Sequence, residues 1–81
     1  MTPDDRLNGL PVLHSDLTPA GPVTRAGRVV LVLDPGNVTF VVAWSGIGDH
    51  DWHQGFYGND LAKALDYYRT RCKRHGIEAT I

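Results

Sequence analysis

The chain has 81 residues and is poor in cysteine, in net charge and in long apolar runs. Its one cysteine, Cys72, excludes an internal disulfide and fits a reducing compartment. A formal net charge of −1 offers no global attraction to nucleic acid or to an anionic membrane. No apolar run approaches the roughly 20 residues that a membrane-spanning helix needs, and no membrane association is expected. The opening Met1-Thr2-Pro3-Asp4-Asp5-Arg6 is polar, with no apolar segment behind it of the kind a secretory signal carries. The resulting expectation is a cytoplasmic protein. Repeats and low-complexity tracts are also missing.

What the chain does have is an apolar ribbon. Arg28 to Ser45 (RVVLVLDPGNVTFVVAWS) reads as a β-hairpin that is apolar on both faces. If Leu33 and Val38 flank the loop Asp34-Pro35-Gly36-Asn37, Leu31 pairs with Phe40 and Val29 with Val42. Proline pre-sets the first turn dihedral, and Gly and Asn tolerate the positive φ where the turn closes. Side chains alternate along a strand. Val29, Leu31, Leu33, Val38, Phe40, Val42 and Trp44 then share a bulky face. Val30, Val32, Thr39, Val41 and Ala43 share a flatter one.

Residues 1–27 hold four of the five prolines and three of the nine glycines, and they read as an extended or partly ordered arm. Residues 28–81 read as a single α+β domain. Beyond the hairpin, Gly46 to Asp51 is a loop by composition, and residues 52–57 form a short strand. A helix over 60–75 follows from the apolar stripe Leu61, Ala64, Leu65, Tyr68 and Cys72. Asn59 is the expected N-cap, and Gly76 supplies a left-handed residue after the last turn. Residues 11–14 and 77–81 are candidate edge strands. The expected architecture is a small antiparallel sheet with one helix packed on the bulky face of the hairpin.

Four constellations carry candidate chemistry. Asp49, His50, Asp51 and His53 gather carboxylates and imidazoles of the type that zinc or manganese takes. The spacing matches no metal signature and would need His14 or His75 to complete it, so no metal or other cofactor is expected. Histidine 53 with Asp51 could act as an acid–base pair, with Ser45 and Cys72 as the available nucleophiles. Cys72, however, lies on the helix's apolar stripe, where a thiol behaves as a small hydrophobe. No enzyme is expected.

The helix carries +3 over residues 60–75 against −4 for the rest of the chain. Lys63, Tyr67, Arg71 and Arg74 could grip phosphates and stack a base, which makes nucleic acid the alternative partner. At about 100° per residue these groups spread round the helix, and a charged outer face is ordinary for an amphipathic helix. Gly55-Phe56-Tyr57-Gly58 lacks the lysine and spacing of a phosphate loop. Its glycines read as a turn from strand into helix.

The fourth constellation is the flat hairpin face. Val30, Val32 and Val41, extended by Trp52, Phe56 and Tyr57, form an apolar surface with no second helix to cover it, so either the proline-rich N-terminal arm folds over it or a partner does. Such a surface suits a protein partner or self-association as a homodimer. The function expected from the sequence is therefore that of a non-enzymatic interaction module. It would act as an inhibitor or antitoxin-like regulator of a larger macromolecule, of the sort that phages and mobile elements encode.

Overall fold

The computed structural model describes residues 5–81, the side chains of His53 and Gln54 excepted. Five strands follow one another both in sequence and in space: β1 (Arg6–Leu7), β2 (Leu10–Thr18), β3 (Gly27–Asp34), β4 (Thr39–Gly46) and β5 (His53–Gly58). All neighbours are antiparallel, and the helix α1 (Leu61–Arg74) packs on one face of the curled sheet. This is the expected α+β architecture.

The central hairpin pairs two residues out of the expected register. Leu33 faces Phe40, Leu31 faces Val42 and Val29 faces Trp44, with Asp34 and Thr39 closing the ladder. A shift of two keeps every side chain on its expected face. The cause lies in the turn. The Asp34 carboxylate accepts hydrogen bonds from the backbone and side-chain nitrogens of Asn37 at 3.3 and 2.9 Å. The Thr39 hydroxyl donates back to the Asn37 carbonyl at 3.0 Å. Those bonds pull Val38 out of the strand and into a left-handed conformation, φ 48°, which a β-branched residue adopts only under strain.

The helix begins one residue later than expected. Asp60 is the N-cap, accepting from the backbone nitrogens of Ala62 and Lys63 at 3.0 and 3.3 Å, and Asn59 is outside it. At the other end Gly76 has φ 76° and donates to the Lys73 carbonyl, while Ile77 donates to that of Cys72. This is a Schellman closure. It turns the chain back so that Ile77 and Ala79 pack on the core. Residues 77–81 pair with no strand, so the candidate edge strand there is a packed tail instead.

Residues 11–14 fall inside β2, and here the sheet acquires its key irregularity. Val12 pairs with Val32 but His14 pairs with Leu31, so Leu13 is an extra, bulged residue. Without it Val12, His14 and Asp16 would share a face. With it Val12 joins one core while His14 and Asp16 turn toward the helix, where Asp16 meets Tyr68.

Two cores result. Val29, Leu31, Val42, Ala64, Tyr68 and Cys72 are buried between sheet and helix. On the opposite face Leu7, Val30, Val32, Val41 and Ala43 are buried together, flanked by Leu10, Val12 and Trp52. The expectation that Val30, Val32 and Val41 stand open to a partner is thus corrected: the chain covers them itself. The β1–β2 hairpin curls over this face and is fastened at both ends. Asp5 makes a paired contact with Arg28 at 2.6 and 2.9 Å. Asn8 donates to the His50 carbonyl at 2.8 Å and to the Asp51 carboxylate at 2.9 Å. The first four residues of the proline-rich arm lie outside the described residues. Among the described residues no helix is long and apolar enough to cross a membrane.

Leu7 is the side chain that seals the valine face, so Leu7→Ala is expected to cost about 2–4 kcal/mol in urea unfolding. Val38→Asn relieves the left-handed strain and is expected to stabilise by about 0.5–1 kcal/mol. A neutral Leu7→Ala would contradict the sealed core, and a destabilising Val38→Asn would contradict the strained turn.

Candidate functional site

The loop 46–51 and the start of β5 hold the residues expected to ligate metal, and the structure occupies their carboxylates otherwise. Asp49 is bridged by Arg25 at 2.6 and 3.2 Å. The Asp51 carboxylate accepts from Asn8 and from the Trp52 backbone nitrogen at 2.7 Å. His50 is exposed, and the His53 side chain lies outside the described residues. Among the described residues no group of three or more His, Cys, Asp and Glu converges as a metal ion requires. The carboxylates pin the loop to the β1–β2 turn and to the β2–β3 connection.

The nucleophile candidates are likewise committed to the core. Ser45 is buried and donates to the Asp51 carbonyl at 2.6 Å. Cys72 is buried, and desolvation together with the Asp16 charge pushes its thiol up to about 11, against a smaller lowering by Tyr68. A thiol held protonated is a poor nucleophile.

The basic helix face loses its centre. Arg71 is only 5% exposed. Its Nε donates to His75 Nε2 at 3.2 Å, which fixes His75 as an acceptor at that nitrogen. His75 is held below its ordinary range by burial first and then by the charges of Arg71 and Arg74. It stacks on Trp44, rings 6.2 Å apart and 16° from parallel. The Trp44 indole donates to Thr18 at 3.0 Å and lies below the Arg25 guanidinium. A Cβ on Gly27 would run into this indole, so that glycine is required for Trp44 to lie flat. Tyr67 stacks on Phe56 at 4.7 Å and 19°. Lys63 and Arg74 remain exposed, but the four residues do not make one grip.

A polar cluster that no local pattern announces lies on the helix-facing side of β2. The Asp16 carboxylate accepts from the Tyr68 hydroxyl at 2.8 Å, from the Thr80 backbone nitrogen at 3.1 Å and from the Thr80 hydroxyl at 2.8 Å. His14 Nε2 lies 2.6 Å from that same hydroxyl. The Thr80 proton is given to Asp16, so His14 Nε2 must be the donor. Burial raises the Asp16 carboxyl, but these hydrogen bonds and the nearby imidazole outweigh it and hold it below the ordinary range. Burial and the Asp16 charge drive Tyr68 far above the ordinary phenol range. Histidine, aspartate and tyrosine together have a catalytic composition, yet the Asp16 carboxylate is taken up by the chain's own donors. The cluster works as a clasp that holds the tail 77–81 against β2.

The arrangement that remains open is the β5 edge. Tyr57, opposite Val41, is 58% exposed and receives a hydrogen bond from the Trp52 indole at 2.7 Å. On the other face Phe56, opposite Val42, carries the Tyr67 stack. The two glycines of the strand make room for these rings. A Cβ on Gly55 would stand 3.0–3.1 Å from the Tyr57 ring, and one on Gly58 would stand 3.2–3.3 Å from Phe56. Both glycines belong to β5, which corrects their reading as a strand-to-helix turn. No protein-family model, curated protein or solved structure matches the chain.

Acidification is expected to lower the melting temperature in two steps. A histidine whose folded pKa is depressed contributes stability above its unfolded value, about 6.5, and loses it as pH falls. Asp16 and Asp5, the latter held down by Arg28, give a second loss below about pH 4. His75→Asn should remove the upper step. Asp16→Asn should shrink the lower one and cost about 1.5–3 kcal/mol. A wild-type melting temperature that rises on acidification from about pH 7 to 5 would contradict this.

Proposed function

We propose that this chain is a non-enzymatic protein-interaction module, an inhibitor or regulator of a larger macromolecule. In this reading it takes an extended segment of its partner along the outer edge of β5. The observation that carries the proposal is the aromatic wall on each side of that edge: Trp52 with Tyr57 on one face, Phe56 with Tyr67 on the other. An added strand gains affinity from main-chain hydrogen bonds and specificity from alternate side chains reaching either face. Aromatic residues are the side chains most enriched where such contacts form. Gly55 and Gly58 leave the strand's backbone open to close approach.

The reading keeps Trp52, Phe56 and Tyr57 as partner contacts and replaces Val30, Val32 and Val41, which are spent on the inner core. It is favoured over catalysis by the buried Ser45 and the protonated Cys72. It is favoured over nucleic-acid binding by the burial of Arg71 and the engagement of Tyr67.

The test is selection of random linear peptides on the immobilised protein, followed by amide-shift mapping. Binders are expected to shift and protect Gly55, Phe56, Tyr57 and Gly58. Tyr57→Ala is expected to weaken them at least tenfold, about 1.4 kcal/mol, with an unchanged melting temperature. Binding that maps elsewhere, or that ignores Tyr57→Ala, would overturn the reading.

A further inference from the structure

A cavity of about 240 Å³ opens where the last turn of α1 meets the end of β2. One wall is Thr18 with the segment 19–21 and Thr24; the other is Arg74 and His75. A hydrogen bond from the Gly21 nitrogen to the Thr24 carbonyl, 2.7 Å, closes the loop onto itself, and Pro19 and Pro22 restrict its backbone. The volume falls below the range of roughly 300–1,000 Å³ for sites that take a drug-sized ligand. It suits one small group.

The donors that line the cavity are set by bonds elsewhere. Thr18 is only 5% exposed, and its hydroxyl accepts the Trp44 indole N–H at 3.0 Å, so its own proton is left to give. The His75 ring accepts from Arg71 at Nε2, which places the proton of the neutral ring on Nδ1. Burial and the charges of Arg71 and Arg74 keep that ring neutral at pH 7. From β4 it is faced by the uncharged Trp44 indole, with Arg25 also against that indole. Arg74 adds an exposed guanidinium. Among the described residues no group accepts from these three donors, and no carboxylate lines the cavity.

Three donors and a surplus of positive charge specify an oxyanion. A carboxylate has two oxygens, and one guanidinium fork takes up both. A phosphate group has three, so a fork, a hydroxyl and an imidazole can be met at once. The carbonyl end of a helix opposes an anion by about half an elementary charge. Here Arg71, Lys73 and Arg74 in the last turn outweigh it, and Gly76 and Ile77 already occupy the carbonyls of Lys73 and Cys72.

We propose that this cavity binds a phosphate group, as inorganic phosphate or as the phosphoryl end of a small monoester, through Arg74, the His75 Nδ1–H and the Thr18 hydroxyl. None of these residues belongs to the β5 edge, so the site stands or falls independently of peptide docking there.

The experiment titrates the full chain at pH 7 and constant ionic strength with inorganic phosphate and, separately, with glycerol phosphate. Amide and imidazole nitrogen shifts are the readout. Saturable shifts are expected at Thr18, Gly21, Thr24 and His75 Nδ1, and none with chloride. The tighter of the two ligands then assigns the phosphoryl group to a free ion or to an ester. Arg74→Gln is expected to weaken binding at least tenfold with an unchanged melting temperature, because Arg74 is exposed. Lys63→Gln removes an exposed cation near the start of the same helix and is expected to leave binding as it is. A titration that never saturates would overturn the proposal. So would shifts that map elsewhere, or equal losses from Arg74→Gln and Lys63→Gln, which would mark a general attraction of anions to a basic helix.

Discussion

Val29, Leu31 and Val42 lie on one side of the β3–β4 hairpin and Val30, Val32 and Val41 on the other, and all six are buried. Each such side chain contributes about 1.5–3 kcal/mol when it leaves water, and a whole small domain is stable by only about 5–15 kcal/mol. Neither face can therefore be left wet. The helix serves one side through Ala64, Tyr68 and Cys72. The other is served by a short hairpin that brings Leu7, Leu10 and Val12 across it. The remaining features of the molecule follow from attaching that cover and keeping the helix in place.

Strand β2 meets both demands, and the bulge at Leu13 is what permits it. Before the bulge Val12 belongs to the core beneath the β1–β2 hairpin; after it Asp16 reaches across to Tyr68 and Thr80. One strand thus ties the two halves together. Removing the extra residue would send either Val12 to the polar clasp or Asp16 into the valine core. Burying an unpaired carboxylate among valines is far costlier than the local loss of ladder bonds at a bulge.

The hairpin, the helix and the partition of hairpin side chains between two faces were legible in the sequence because each rests on local periodicity. The register was legible only in its parity. Val38 was read as a strand residue by its type, whereas the Asp34–Asn37 bonds place it in the turn. That the N-terminal arm could cover the valine face was an open alternative from the sequence, but proline and glycine in the first 27 residues mask that it does so through a nine-residue strand, β2. Arg71 looks solvent-facing by composition but is buried against His75. The Asp16 clasp joins residues 52 and 64 positions apart, and no local pattern announces such a pair. For the site, the aromatic residues Trp52, Phe56 and Tyr57 were named from the sequence. Their arrangement along the open edge of β5 required the fold.

The fold depends on the valine face being closed by the chain's own N-terminal hairpin. Residue-resolved hydroxyl-radical footprinting tests this directly, because the protein contains exposed and sealed residues of the same type. Val23 and Val38 are exposed, whereas Val30, Val32 and Val41 are buried. The expected result is ready oxidation of the first pair and protection of the other three. Oxidation of Val30, Val32 and Val41 at the rate of Val38 in the folded protein would contradict it.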